Sequence, residues 1–335
     1  MIADVAPAPY DGAGSFPALD VPARPPLQRA IQLTVIALIV VGPFAGLVAA
    51  VVLLWGRGVG LADLGLVAFF YLLTGFGVTV GFHRGLTHRS YAASPALRVA
   101  LAVAGSMSFQ GDVIGWVATH RRHHAFPDRP GDPHSPYQYG TGPGGLLRGV
   151  AHAHVGWLFG HDPTSRERYA PDLLADRSMR VVSNAFPALC AASLALPFAA
   201  GWLIDGARGA LLALIWAGLV RIFLLQHVTW SVNSLCHLLG NRPFTTRRHD
   251  RATNLWPLAL PSLGESWHNM HHSDPACARH GVDPGQVDLS ASLIRVFERA
   301  GWASAVRWPT PDRLGQHRRK AGDESAVSPA SEIGG

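Results

Sequence analysis

Four long apolar runs constrain the fold of this 335-residue chain more than any other feature. A helix needs about 20 apolar residues to cross a hydrocarbon core about 30 Å thick, and each run is long enough. Short connectors join the first run to the second and the third to the fourth, which predicts two helical hairpins. The predicted transmembrane helices cover approximately residues 31–55, 61–82, 181–204 and 210–230.

The distribution of arginine predicts how these helices are oriented. Charged residues make up only 15% of the chain, against about 25% in a typical soluble domain. Arg57 and Arg208 lie in the hairpin connectors and Arg221 lies within the fourth run, whereas almost all other arginines lie outside the hairpins. Under the positive-inside rule, both termini and the segments between hairpins are cytoplasmic. The chain is therefore predicted to be an all-α, multi-pass protein of the cell membrane.

One membrane domain, 29–308, is predicted between two disordered tails, 1–28 and 309–335. The tails are rich in Pro, Gly, Ala or polar residues, and the first lacks the basic start and apolar core of a signal peptide. Pro95–Ala118 is apolar and about as long as a membrane span. A crossing there would place the histidines before and after it on opposite sides of the membrane, so an interfacial or re-entrant helix is predicted instead.

Charge and cysteine content argue against several other functions. The net charge of +6 is spread along the chain and no nucleic-acid-binding motif is present, so nucleic acid is not predicted as a partner. Cys190, Cys236 and Cys277 are far apart and odd in number, which argues against a disulfide framework. The sequence has no Cys-x-x-Cys pair, so a zinc ribbon or an iron–sulfur site is not predicted.

Clustered histidines are the strongest functional signal. Three segments, HRGLTH, HRRHH and HNMHH, hold eight of the seventeen histidines. Residues three and four apart share one face of a helix, so the last two clusters can each point at one ligand. His83 and His88 are five apart, which predicts that this pair spans a helix end. The clustered residues are His83, His88, His120, His123, His124, His268, His271 and His272.

These clusters predict two metal ions, because eight imidazoles exceed what one ion can bind. His237, in the segment NSLCH and four residues after Asn233, is a further candidate. Imidazole suits iron, zinc, copper and nickel. The His-Glu-x-x-His pattern of zinc proteases is absent, and only Glu265 with His268 has the Glu-x-x-His spacing of carboxylate di-iron proteins. The remaining histidines are interpreted as ordinary polar residues: His134, His152, His154, His161, His227, His249, His280 and His317.

The same segments resemble the membrane fatty acyl desaturases of the stearoyl-CoA desaturase type, as found in bacteria. The similarity extends from about Leu64 to Trp308. It depends on GFHRGLTHRSY at 81–91, GWVATHRRHH at 115–124, GDPHSPY at 131–137, HVGWLF at 154–159, TWSVNSLCH at 229–237 and GESWHNMHH at 264–272.

The resemblance implies four transmembrane helices under a cytosolic helical cap that holds two iron ions. It implies an O2-dependent enzyme that introduces a cis double bond into a fatty acyl chain, at the delta-9 position of an acyl-CoA or of a chain on another carrier. Asn233 matches an asparagine that contacts one iron through water. The implied iron ligands are His83, His88, His120, His123, His124, His237, His268, His271 and His272.

The resemblance also implies a bent acyl tunnel beside the irons, with Trp116, Thr229 and Trp230 in its wall. Arginines that could meet the phosphates of a CoA carrier are Arg121, Arg122, Arg148 and Arg247. Carboxylates expected to orient the imidazoles are Asp112, Asp132, Glu265 and Asp274. The chain has no cytochrome b5-like HPGG motif and no cysteine cluster, so a separate electron donor of the ferredoxin or flavoprotein reductase type is expected.

Three points remain open in the sequence. The family's Asp-x-Ser-x-Asn-Asn element is replaced by HDRATNLW, which leaves the carrier and the chain length undetermined. A membrane di-iron hydroxylase of lipids has similar histidine boxes and is the main alternative. A membrane metal transporter is a weaker alternative, because it would place histidines along its spans rather than beyond their ends.

Overall fold

The structure, a computed structural model, describes residues 25–54, 59–160 and 164–318. Almost all of its regular structure is helical. The α-helices are α1 (Pro26–Leu54), α2 (Leu61–Phe76), α3 (Pro95–Ser106), α4 (Val113–Ala125), α5 (Pro143–His154), α6 (Arg166–Tyr169), α7 (Pro171–Ala175), α8 (Arg177–Asn184), α9 (Phe186–Ala213), α10 (Arg221–Ser234), α11 (His268–Ser273), α12 (Leu289–Arg299) and α13 (Pro311–His317). Gly77–Thr87 and Leu214–Val220 are π-helices, and Gly156–Phe159, Leu235–His237 and Trp256–Leu258 are 3₁₀ helices. Two short strands, β1 (Ala92–Ala93) and β2 (Ala303–Ser304), pair antiparallel with Ala92 opposite Ser304.

Three helical stretches among the described residues are long and apolar enough to cross a membrane: Pro26–Val52, Leu61–Thr87 and Phe186–His237. Their outward-facing side chains are apolar; Leu38 in the first stretch and Leu203 in the third are 67% and 86% exposed. Such a surface is stable in contact with lipid and costly in contact with water. These helices associate the protein with a membrane.

The third stretch, 52 residues long, contains a sharp turn. Its backbone leaves helical geometry at Asp205 and Gly206, where Gly206 has φ +53°. Glycine adopts this conformation without a steric penalty. Gly201 and Gly209 then meet so closely that a Cβ on either would lie 2.2 Å from the carbonyl oxygen of the other. The stretch is therefore a helical hairpin that turns where the sequence predicts a connector.

Arg221 ties this hairpin to the rest of the bundle. Its guanidinium is fully buried and donates to the carbonyl oxygen and the hydroxyl of Ser193, at 3.1 Å and 2.9 Å. It also donates to the hydroxyl of Thr74 on α2 at 3.3 Å. Gln226, one and a half turns further, donates to the carbonyl of Ile39 on α1 at 3.1 Å. Polar groups inside a membrane bundle are usually paired in this way.

The segment Pro95–Ala118 is two helices rather than the one predicted. Helix α3 has 12 residues, too few to cross a bilayer. The chain leaves helical geometry after Ser106 and restarts at Val113, because the Asp112 carboxylate caps α4 by accepting from the Gly115 N–H at 3.1 Å. This break lies between the first histidine pair and the second histidine cluster.

The predicted boundaries of the tails are wrong at their inner ends. Helix α1 begins at Pro26, and α13 lies within the segment predicted to be disordered. Thr310 caps α13, and Arg313 on that helix pairs with Asp274 at 2.8 Å, so this part of the chain packs against the segment that follows α11. Residues 1–24, 55–58 and 319–335, which include most of both predicted tails and most of the first connector, lie outside the described residues.

Candidate metal centre

The fold gathers all nine predicted histidines into two adjacent clusters. We call them the five-histidine cluster and the four-histidine cluster. Within each cluster, one ring nitrogen per residue lies within 4.8 Å of all the others. The five-histidine cluster comprises His83, His88, His120, His124 and His271, and the four-histidine cluster comprises His123, His237, His268 and His272.

Helix geometry explains how neighbouring residues enter different clusters. In α4, His120 and His124 are four apart and share a face, whereas His123 points to the other cluster. In α11, His268 and His272 share a face and His271 turns away. Two adjacent histidines on one helix therefore serve opposite sites.

The first pair follows a different geometry. His83 lies in the π-helix Gly77–Thr87, and His88 is the residue that ends it. The N–H of His88 donates to the carbonyl of His83 at 3.1 Å, the five-residue hydrogen bond of a π-helix. Their ring centroids are 4.8 Å apart. The predicted helix end is confirmed, and π-helical winding accounts for the five-residue spacing.

In the five-histidine cluster the Nε2 atoms converge. His271 Nε2 lies 3.0 Å from His83 Nε2 and 3.0 Å from His124 Nε2, and His120 Nε2 lies 3.1 Å from His124 Nε2. The Nε2 atom of His88 is buried and has no hydrogen-bond partner among the described residues. An orphaned buried nitrogen is costly unless a ligand satisfies it.

Buried carboxylates hold the outer nitrogens of the four-histidine cluster. Asp132 accepts from His123 Nδ1 at 2.9 Å. Asp250 accepts from His272 Nδ1 at 2.8 Å, and Asp128 accepts from His237 Nδ1 at 2.6 Å. Each of these rings carries its proton on Nδ1, which leaves a lone pair on Nε2.

These lone pairs face one another across the four-histidine cluster. The Nε2 atoms of His123 and His272 are 3.3 Å apart, and both rings donate through Nδ1. Burial first and neighbouring charges next lower the pKa of His272, which disfavours an additional proton on that ring. A cation between the two nitrogens resolves this conflict, so the residues present fit a metal ion. The five-histidine cluster has the same chemistry, since burial also lowers the pKa of His88, His120, His124 and His271.

One carboxylate supports the five-histidine cluster from outside. Glu265 lies 2.5 Å from His83 Nδ1 and 3.0 Å from the fully buried guanidinium of Arg84. Arg84 also pairs with Asp288 at 3.0 Å and donates to the Ala278 carbonyl at 2.8 Å. Glu265 therefore couples a histidine of this cluster to the buried ion pair of Arg84 with Asp288.

A cavity of about 1260 Å³ runs along both clusters. His83 and His120 of one cluster, and His268 of the other, form part of its wall. Away from the clusters the wall is largely apolar, with contributions from Ile36 and Leu225. The predicted tunnel residues Trp116, Thr229 and Trp230 all line it, and so does Asn233.

Two of these residues shape the wall beside the clusters. The Trp116 ring stacks on His120 with centroids 5.0 Å apart and an interplanar angle of 22°. Thr229 accepts from the side-chain amide of Gln110 at 2.9 Å, which joins α10 to the loop before α4. The cavity wall is therefore tied to a histidine of the five-histidine cluster.

Some sequence candidates have other roles. Asp112 caps α4 and pairs with Arg166 at 2.6 Å, and Asp274 pairs with Arg313, so their assignment to the imidazoles was wrong. The arginines suggested for a CoA carrier are engaged within the protein: Arg121 with Asp172, Arg122 with the Gly131 carbonyl, Arg148 with the Tyr139 ring and Arg247 with the His124 carbonyl.

Sequence reasoning missed Asp128 and Asp250 because both lie in loops, where no periodicity indicates direction. It also treated His134 and His280 as ordinary residues. His134 stacks on His123 with centroids 4.4 Å apart, and His280 lies 4.5 Å from the His271 ring. The signal that could have found Asp128 is its position four residues beyond the second histidine cluster.

The sequence profile described as fatty acid desaturase matches residues 61–286, about two thirds of the chain. This chain belongs to the fatty acid desaturase family. The desaturase is thus an oxygen-dependent oxidoreductase that introduces double bonds into fatty acids. The family generally uses two iron ions, and the two clusters are compatible with such a centre. It also implies a fatty acyl substrate, O2 and an electron donor.

Individual relatives cover most of the desaturase. The Hex-5-enoyl-[acyl-carrier protein] acetylenase of Moorena producens (strain JHB) is 38% identical over 271 residues, which are 80% of this chain and 84% of the relative. The sn-1 stearoyl-lipid 9-desaturase of Anabaena variabilis is 33% identical, covering 73% and 84%. The acyl-CoA C20 Delta5-desaturase of Anemone leveillei is 34% identical, covering 73% and 72%. Their names give three carriers and different positions on the acyl chain.

Proposed function

We propose that this desaturase introduces a cis double bond at the delta-9 position of a fatty acyl-CoA, using two iron ions bound by the two histidine clusters. The supporting observation is that residues of both clusters form the wall of one long, largely apolar cavity. An acyl chain in that cavity would pass both metal positions. The proposed ligands are the nine histidines, with Asn233 acting on the four-histidine side through water.

In the reaction, the acyl chain loses two hydrogens and O2 is reduced to two water molecules with two electrons and two protons from outside. When bound, the irons supply the oxygen activation that breaks the two C–H bonds. Outer carboxylates hold four of the nine rings, those of His83, His123, His237 and His272, and they fix the tautomers of these rings and increase their basicity as ligands. The cavity places one pair of methylenes beside the centre, which is a positioning effect.

Burial protects this chemistry from water. His123, His237, His268 and His272 are each at most 6% exposed. The stacked Trp116 and His120 rings form part of the cavity wall beside the five-histidine cluster. Exclusion of water prevents side reactions of the activated centre.

We further propose that the chain crosses the membrane four times, with the termini, the cap and the clusters on the cytoplasmic face. The hairpin turn at Asp205 and Gly206 supports two crossings by the third apolar stretch. His83 and His88 lie at the end of the second stretch and His237 at the end of the third, so one face can collect every cluster. Reporter fusions in the 205–209 connector and at the C-terminus test this topology: only the connector should be accessible from outside.

The function is tested by expressing the chain in a host that lacks its own desaturase. Mass spectrometry of the total fatty acids should show loss of two hydrogens, with the new double bond at carbon 9. Purified protein supplied with stearoyl-CoA, stearoyl-acyl carrier protein or stearoyl lipid then identifies the carrier, with CoA expected to react fastest. Addition of an oxygen atom instead would identify the hydroxylase alternative and overturn the proposal.

A further inference from the structure

A short basic segment lies at the surface of the cap directly over both histidine clusters. We call residues Arg247–Arg251 the basic ridge. Arg247, Arg248, His249 and Arg251 are exposed, whereas the one carboxylate of the ridge, Asp250, is 2% exposed and points inward. The outer surface of the ridge therefore presents cationic groups.

The ridge contacts the five-histidine cluster at one point. The guanidinium of Arg247 donates to the carbonyl oxygen of His124 at 3.0 Å. His124 and His88 are the two members of that cluster that keep partial solvent exposure. The ridge thus covers the least shielded edge of the five-histidine cluster.

Two further contacts reach the four-histidine cluster. Asp250 accepts from His272 at 2.8 Å. The backbone N–H of Arg251 donates to Asp128 at 2.8 Å, and the same oxygen accepts from His237 at 2.6 Å. Three of the five ridge residues, Arg247, Asp250 and Arg251, are therefore one or two hydrogen bonds from members of the clusters.

The ridge is separate from the acyl cavity. Polar residues of the cavity wall include Gln28, Gln138 and Tyr139, and no residue of the ridge lines it. The substrate can therefore occupy the cavity without covering the ridge. A surface that is close to both clusters, cationic and clear of the substrate fits a second macromolecular partner.

The proposed reaction defines what that partner must supply. Each double bond requires two electrons in addition to those taken from the two C–H bonds, because O2 accepts four in forming two waters. The sequence contains no HPGG motif and no cysteine cluster, so the electrons come from another protein. Arginine pairs strongly with carboxylates, and opposite charges accelerate encounter and fix orientation.

We propose that the basic ridge is the docking surface for a small acidic one-electron carrier of the [2Fe–2S] ferredoxin class. This inference rests on the proposed desaturase function. Two reduced ferredoxin molecules dock in turn, and each leaves oxidised after giving up one electron. The ridge acts by placing the donor next to residues that are one or two hydrogen bonds from the histidine clusters.

The test uses full-length protein in nanodiscs and a purified acidic [2Fe–2S] ferredoxin as the probe. Arg248→Glu reverses one charge of the ridge, and Arg248→Glu/His249→Glu adds a second carboxylate, both at side chains outside the clusters and the cavity. The ferredoxin Kd, measured by biolayer interferometry, should rise about tenfold in the single variant and further in the double variant. Ferredoxin binding to the wild type should weaken as ionic strength rises, with a smaller dependence in the variants.

Matched controls separate docking from folding and chemistry. Arg299→Glu makes the same charge change on α12 and should leave the Kd unchanged, and Arg248→Lys should retain wild-type binding. Iron content and product formation driven by dithionite should be unchanged in Arg248→Glu. Equal ferredoxin binding by the wild type and both ridge variants would overturn the docking proposal. Ridge-dependent binding without any double-bond formation by the wild type would leave docking intact and refute the proposed function.

Discussion

The two histidine clusters differ in how their rings are held. Three of the four rings in the four-histidine cluster donate to a carboxylate, and all four rings are buried. In the five-histidine cluster, His83 is the only ring that has a carboxylate partner among the described residues, namely Glu265, and His88 and His124 remain partly exposed. The four-histidine cluster therefore has fewer imidazoles and more surrounding negative charge, whereas the five-histidine cluster has more imidazoles and less surrounding negative charge.

This difference shows two ways to stabilise a buried cation. Outer carboxylates increase the basicity of the imidazoles and offset the cost of burying the metal charge. An additional imidazole and partial access to solvent can do the same with less negative charge. The five-histidine cluster is instead surrounded by ion pairs. Arg84 pairs with Glu265 and Asp288, and Arg121 pairs with Asp172.

The largest effect is expected from removing one ring of each cluster. His271→Ala and His272→Ala should both abolish product formation, and each should lower bound iron from two per chain to about one, because a lost ligand empties one position. Metal analysis and fatty acid profiling measure both quantities. Arg299→Ala, at an exposed side chain on α12 outside both clusters, is the control. Activity retained by His271→Ala would rule out the assignment of the five-histidine cluster.

Substitution of the outer carboxylates should reveal a second difference between the two clusters. Asp128→Asn should weaken iron binding about 10–100-fold, because a neutral amide no longer increases the basicity of His237. Glu265→Gln should also lower the free energy of unfolding by about 3 kcal/mol, because Arg84 loses one buried carboxylate. Iron titration and thermal unfolding report the two effects. Identical results for both variants would show that the two carboxylates have the same role.

Chelation tests the difference in exposure. A soluble iron chelator should remove one iron from the wild type faster than the other, because only the five-histidine cluster has partly exposed rings. The loss of iron over time should therefore be biphasic. His271→Ala should retain only the slow phase. A single phase in the wild type would mean that the exposure of His88 and His124 does not control access.

The smallest effect is expected from Asp172, which pairs with Arg121, the residue after His120. Burial disfavours the ionised Asp172, but hydrogen bonds from Arg121 and Arg89 prevail and lower its pKa to about 2 from the ordinary 3.8. A lowered folded-state pKa stabilises the protein above about pH 4, and this contribution is lost as the pH falls towards 2. Asp172→Asn should therefore lower the Tm by a few degrees at pH 7, and the difference from wild type should shrink at pH 3. A pH-independent difference would contradict the role of this carboxylate charge.

Much of the centre could be predicted from local spacing. Helical periodicity within HRRHH and HNMHH is visible in the sequence, and so is the position of the connector at Asp205. The roles of Asp112 and Asp274 could not be predicted, because their partners, Arg166 and Arg313, are about 40 residues or more away in the chain. Asp128 and Asp250 were missed for a different reason: both lie in loops, which carry no periodic signal.

The sequence by itself determined which histidines come together in the clusters, because helical spacing is a local property of the chain. It also determined the apolar runs, because a stretch of about 20 consecutive apolar residues can be recognised without knowledge of tertiary contacts. Only the tertiary structure decided that His123 and His124 belong to different clusters and that Asp128 and Asp250 support one of them. Those facts depend on how separate segments pack against each other, and packing contacts between distant residues leave no pattern in a single sequence.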